Sequence, residues 1–291
     1  MLYEYALTSG VLYGLFYGFV GIGLNLLFGV MRLVNLAHGD LVVFGGYLAY
    51  VLATYAHLNP LWAIPASVPL ALGAGWVLYH LTVPRLRRSA DTETASLILF
   101  FGVAQVLEAV ASMVFGNNPK TLSPSTFGGP VHLFGQAYAS SAVVSALVSI
   151  PALGVLFAYL YRTRLGLATR AVMADETEAA TSGVRVRLVA ASAFAIGVAF
   201  AVAAGALAVF MLGGVAPTTG SALTITAFTV IIIGSLGNPL GTAVGGLLYG
   251  LALSFTETFA SQWSGLVPFA LLLVVVLVRP SGLLGKRVRH A

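Results

Sequence analysis

The feature that most limits what this chain can become is a succession of long apolar runs with almost no charge inside them. In order, they occupy residues 5 to 29, 41 to 57, 61 to 83, 95 to 116, 139 to 161, 188 to 212, 222 to 237, 241 to 260 and 265 to 279. Each approaches or exceeds the length of helix, about 20 residues, that a hydrocarbon core about 30 Å thick demands. They are too long and too uniform for the short alternating strands of a membrane β-barrel. Composition agrees: 59% of the 291 residues are hydrophobic and only 8% are charged, where soluble domains run at about 25% charged. The expected fold is all-α: a polytopic transmembrane helix bundle of about nine spans, eight to ten at the limits, forming a single domain over 1–291. The first run reads as a span and not a cleaved leader, because no basic residue precedes it and it carries Glu4.

Charge placement predicts an orientation. With nine spans, Arg32, Arg85, Arg87, Arg88, Arg162, Arg164, Arg170, Arg185, Arg187, Arg279, Lys286, Arg287 and Arg289 all fall on one face, and only Lys120 falls on the other. Because short cytoplasmic loops concentrate Lys and Arg, that face is predicted cytoplasmic, with the N-terminus outside and the C-terminus inside. Cations confined to short loops do not make a nucleic-acid surface despite the net charge of +5.

Two polar excursions stand out. The outer one, 117–138, is rich in turn residues (Asn117-Asn118-Pro119, Gly128-Gly129-Pro130). The inner one, 162–187, carries Asp175 with Glu178 three residues on, a capping pattern, and Gly183 as a C-terminal stop, so a short helix is expected near 176 to 182. Residues 167 to 174 can add another turn or two. Within the apolar region, helix is interrupted at 35–40 (Asn35-Leu36-Ala37-His38-Gly39-Asp40) and at 234–239 (Gly234-Ser235-Leu236-Gly237-Asn238-Pro239). Unpaired backbone in lipid costs several kcal/mol, so such breaks belong where protein or water surrounds them, and paired breaks point to a transport pathway. An ordinary interfacial turn is the competing reading, chiefly for the second. Glycines at four-residue spacing (Gly10, Gly14, Gly18; Gly241, Gly245; Gly246, Gly250) mark faces where helices touch closely.

Reactive chemistry is sparse. The chain has no cysteine, no His-Glu-x-x-His, no Gly-x-Ser-x-Gly and no phosphate-binding glycine loop. No catalytic residue, metal site or cofactor is expected. What remains are polar residues inside spans, among them Asn25, Gln105, Glu108, Thr224, Thr226, Thr229 and Glu257. A mid-span carboxylate is costly and should face a bundle interior or water. Glu108 therefore reads either as a pathway contact for a substrate ammonium or as an interhelical hydrogen-bond partner. Asn35, His38, Gly39, Glu108, Thr226, Thr229 and Ser235 are the candidate pathway residues.

The motif at 35–40, the stretch Gly166-Leu167-Ala168-Thr169-Arg170-Ala171 leading into Asp175-Glu176-Thr177-Glu178-Ala179-Ala180 and Gly183-Val184, the turn at 234–241 and the closing Arg279-Pro280-Ser281-Gly282-Leu283-Leu284-Gly285 together resemble the inner-membrane permease subunits of branched-chain amino acid ABC importers, the shorter of their two permease types. That resemblance implies a multi-pass protein of the bacterial inner membrane that moves branched-chain or other hydrophobic amino acids by alternating access. It also implies four partners: a second homologous permease, two cytoplasmic ATPase subunits and a periplasmic substrate-binding protein. ATP would be hydrolysed on those ATPases, and the inner loop would be the coupling element, with Gly166, Arg170, Ala174, Asp175, Glu178, Ala179 and Gly183 as its key positions. The alternative is an ion-coupled secondary transporter of a small polar solute, with Glu108 as the coupling carboxylate.

Overall fold

A computed structural model describes residues 2–285, so Lys286, Arg287 and Arg289 of the basic tail lie outside the described residues. The helices are α1 (Leu2–Met31), α2 (His38–Thr54), α3 (Ala63–Leu86), α4 (Thr92–Phe115), α5 (Ser140–Arg162), α6 (Arg164–Ala174), α7 (Glu176–Thr181), α8 (Val186–Met211), α9 (Thr219–Gly234), α10 (Pro239–Phe259) and α11 (Val267–Val278). Every one of the nine apolar runs holds a helix. Seven are long and apolar enough to cross a membrane: α1, α3, α4, α5, α8, α10, and α11 with the 3-10 turn before it. The protein is thus an all-α membrane protein. The two shorter helices are α2, with 17 residues, and α9, with 16. At 1.5 Å per residue each is only about 25 Å long.

Local signals start the helices where the sequence places them. Asp91 caps α4 by accepting the Thr94 amide at 3.1 Å. Asn238 does the same for α10 through Gly241 at 3.2 Å, with Pro239 at the first helical position.

Helices α1 and α8 form the centre, with 78% and 83% of their apolar windows buried, whereas α4 and α11, at 17% and 6%, present most of their surface outward. Small residues let the central helices approach. Gly23 of α1 and Gly197 of α8 face each other so closely that a methyl on either would stand 2.6 or 2.7 Å from the other's carbonyl oxygen. The glycine stripe of α1 does the same work against α10. A methyl at Gly14 would reach the Leu247 Cα at 2.7 Å, and one at Gly250 would overlap Gly14. Lipid offers helices little hydrophobic reason to associate, so this close backbone packing is what binds them.

The bundle has two ends. At one, the 117–138 loop contains a hairpin that its composition did not announce. Strand β1 (Val131–Leu133) pairs with β2 (Gln136–Tyr138) across Phe134-Gly135, both residues at positive φ, as a two-residue hairpin turn requires. Lys120 pairs with Val215 by two backbone bonds (2.8 and 3.0 Å), fastening this loop to the segment before α9. At the other end lie α6, α7, the α3–α4 connection and the turn between α9 and α10. Arg87 reaches Glu176 there at 2.6 Å. The arginines of the 84–88 and 162–187 connections gather at this elbow end, and Lys120 lies at the hairpin end.

Candidate functional site

After Met31 the chain reverses. Residues 32–37 run back along α1 without helix, and His38 Nε2 donates to the Val20 carbonyl at 2.9 Å. Val20 sits eleven residues before the end of α1, so α2 starts about 16 Å inside the bundle. Segment 212–218 behaves likewise from the opposite end. It descends through Gly213 and Gly214, both at positive φ, and α9 begins beside the start of α2. The Gly39 amide donates to Thr224 Oγ1 at 2.9 Å, and that hydroxyl reaches the Leu36 carbonyl at 3.1 Å. Gly39 and Gly220 are in contact: a methyl on Gly39 would overlap the Gly220 carbonyl oxygen, and one on Gly220 would overlap Asp40 Oδ1. Two half-length helices therefore meet N-terminus to N-terminus within the protein, the arrangement in which broken backbone is tolerated at membrane depth.

The structure brings Asn35, His38 and Gly39 together at this junction. Asn35 is fully buried, and its Oδ1 accepts the Ala37 amide at 3.1 Å. Its Nδ2 and the Nδ1 of His38 have no hydrogen-bond partner among the described residues. Asp40, 4% exposed, joins them. Only its place in the 35–40 motif marks it in the sequence. Glu108 is half-buried on α4, which packs against α2.

The other candidates lie apart. Thr226 is buried on α9, 3.4 Å from the Tyr249 hydroxyl, and lines a cavity of about 410 Å³ with Tyr17, Pro119, Gly213, Thr219 and Leu223. Thr229 bonds the Ile225 carbonyl at 2.9 Å and faces the Pro268 carbonyl in the first turn of α11. Ser235 ends α9 at φ 126° at the elbow end. There Asn25 holds the turn: its Nδ2 donates to the carbonyls of Ser235 and Asn238, at 3.2 and 3.0 Å, and to Thr242 Oγ1, while its Oδ1 accepts the Gly237 amide. The break that meets the first one inside the bundle is 212–218, whereas 234–239 is a turn at the bundle end. Its Thr-Gly-rich approach, Thr218-Thr219-Gly220, was the available signal.

The elbow forms as the local signals require and extends further. Thr163 caps α6 by accepting the Gly166 amide at 2.9 Å. Gly166 presses on α5, where a methyl would overlap the Tyr159 carbonyl oxygen. Arg170 clamps the same contact, its Nε donating to the Leu160 carbonyl at 2.9 Å and its guanidinium lying 4.5 Å over the Tyr161 ring. Ala174 ends α6 beside Met173, whose side chain packs on Gly29 and Gly237. Asp175 Oδ1 accepts the Glu178 amide at 2.8 Å. The Asp175 amide itself goes to the Ala171 carbonyl, so Asp175 caps α7 while remaining tied to α6. Helix α7 closes with Gly183 at φ 82° and the Val184 amide on the Ala179 carbonyl at 3.0 Å, with Ala179 buried beneath.

Apolar crossing helices, half-length helices that start inside the bundle and a rigid helical elbow at one end define a multi-pass membrane transport protein. The chain belongs to the family described as branched-chain amino acid transport system, permease component, which it matches over residues 6–276. It is similar to the high-affinity branched-chain amino acid transport system permease protein BraD of Pseudomonas aeruginosa, 28% identical with 98% of this chain and 96% of BraD covered. It is equally similar, at 28% identity, to LivH of Escherichia coli K12, covering 96% of this chain and 94% of LivH. To LivM of the same organism it is 25% identical, covering only 67% of that longer permease. No solved structure matches the chain significantly.

Proposed function

We propose that this chain is the shorter permease subunit of an ATP-driven importer that moves branched-chain or other hydrophobic amino acids across a bacterial inner membrane by alternating access. The observation that carries the reading is the elbow. Helix α6 is clamped to α5 by Gly166 and Arg170, and Asp175 ties α7 to α6. A push on α7 is therefore transmitted to the bundle as rigid-body motion rather than lost in a loose loop. In this reading two cytoplasmic ATPases dock on α7, a second homologous permease completes the pathway, and a periplasmic binding protein delivers substrate at the hairpin end. The arginines gathered at the elbow end support placing that end in the cytoplasm, with the N-terminus outside.

The test is reconstitution with the ATPases, the second permease and the binding protein in proteoliposomes. Replacing residues 175–183 by a Gly-Ser linker is expected to abolish ATP-driven leucine uptake while the chain still inserts and pairs. Normal uptake by that variant refutes the coupling role.

A further inference from the structure

Along α3, Ile64, Val68, Leu72, Trp76 and His80 recur every fourth residue, the spacing that makes helical side chains neighbours in one stripe. The stripe borders two cavities in turn, and α8 forms another wall of each. The first, of about 340 Å³, presents only apolar atoms, with Leu72 and Val68 of α3 and Ile196 and Phe200 of α8 among its lining. The second, of about 450 Å³, lies toward the elbow end, where Trp76 and His80 share it with Arg185, Arg187 and Leu188. His80 is six residues, about 9 Å, from the end of α3.

The second cavity is cationic and unbalanced. Arg185 and Arg187 are exposed, and neither makes a hydrogen bond or an ion pair among the described residues. No acidic side chain is among the lining residues. Glu176 of α7, which packs on α8, is already held by Arg87 at 2.6 Å. His80 Nδ1 donates to the Trp76 carbonyl at 2.9 Å, which leaves Nε2 for a ligand. Helix α3 is a crossing helix with only 22% of its apolar window buried, and Trp76 is 40% exposed, so this part of the seam opens at the lipid boundary. Tryptophan favours the depth of the lipid head groups, a guanidinium fork fits phosphate oxygens, and basic pockets between spans hold anionic head groups.

We propose that the seam between α3 and α8 is a binding site for an anionic phospholipid. Its phosphate meets Arg185 and Arg187, Trp76 lies beside the glycerol, and one acyl chain follows Leu72 and Val68 into the apolar cavity. Charge complementarity selects this occupant over an apolar helix of another protein, which would leave two guanidiniums unpaired against it. The proposal stands apart from the importer reading, since it concerns the surface that the chain turns to the bilayer.

The test places the full chain in phosphatidylcholine vesicles with a trace of phosphatidylglycerol that carries a photoactivatable acyl chain; the paired reagent is phosphatidylcholine with the same chain. Mass spectrometry reads the label on peptides holding 64–80 and 186–203. The anionic lipid is expected to label them about 25-fold more, about fivefold for each arginine. Arg185→Gln with Arg187→Gln is expected to bring the ratio near one. Arg162→Gln with Arg279→Gln, which removes two exposed arginines that line neither cavity, is expected to leave it unchanged. Equal labelling by the two lipids overturns the site. An equal fall in both double variants also overturns it, because the whole face then attracts anionic lipid diffusely. Loss of label in millimolar inorganic phosphate, but not in chloride of equal ionic strength, makes a free anion the ligand and overturns the lipid. The label is expected to persist when the chain is irradiated in the complex it forms in its own membrane; its disappearance there means that a protein partner covers the seam, which overturns the proposal.

Discussion

Asn25 offers the most direct test of how the elbow end is held together. It is completely buried in α1 and serves four groups of the α9–α10 turn. Replacing it with Leu keeps the branched side-chain skeleton and removes all four bonds, but the consequences differ by partner. The Ser235 carbonyl still accepts the Asn238 amide at 3.2 Å, and the Asn238 carbonyl keeps the Thr242 amide at 3.0 Å. Only the Gly237 amide is orphaned. That orphan costs about 1–3 kcal/mol and the three other lost bonds, to the Ser235 and Asn238 carbonyls and Thr242 Oγ1, about 0.5–1.5 kcal/mol each, for a total of about 2.5–7.5 kcal/mol. At about 2–4 °C per kcal/mol for a chain of this size, the melting midpoint should fall by roughly 10 °C. The assay is thermal unfolding of the purified protein in lipid nanodiscs. A shift below about 2 °C, under one kcal/mol, would mean that Asn25 does not hold the turn and would refute the reasoning.

Gly166→Ala places a methyl against the Tyr159 carbonyl, a backbone atom that cannot step aside. Helix α6 must lift from α5 at a cost of about 1–3 kcal/mol, seen as a lower melting midpoint together with slower ATP-driven uptake; an unchanged midpoint contradicts the close contact. Asp91 supplies a pH test. Hydrogen bonds from Thr94 hold its carboxyl below the usual carboxylate range. Its capping contribution is therefore present above the unfolded value of about 3.9 and is lost as pH falls through the lower folded value. Amide exchange at 92–95, corrected for intrinsic rate, should show protection falling on acidification in the natural chain and staying flat in Asp91→Asn. Parallel profiles would remove Asp91 as the cause.

What could be read without the structure was whatever depends on near neighbours. The apolar runs mark helices because each span must bury its own backbone polarity, and α7 is legible because its cap, its stop and its length all lie within nine residues. The meeting of α2 and α9 was hidden for the opposite reason. Residues 32–37 contain nothing that dictates a reversal, which arises from His38 finding a carbonyl halfway along α1 and Gly39 finding Thr224. The likeness between 35–40 and 234–239 drew attention to a turn at the bundle end, while the true counterpart lay in a short connection with no charge to mark it. The hairpin is hard to read in the sequence because Phe134, which takes positive φ at its turn while largely exposed, is a poor turn former. The polarity that makes Thr229 a pathway candidate is satisfied by its own helix through the Ile225 carbonyl.

The two-bond splice between Lys120 and Val215 joins the start of the 117–138 loop to the segment bordering the α9 cavity. A displacement of Lys120 is therefore carried directly to Val215 and so to the segment that leads into α9. The cavity wall is spliced at the same place: Pro119, just before Lys120, and Gly214 and Ala216, on either side of Val215, all line it, so the polar loop and the approach to α9 share one edge.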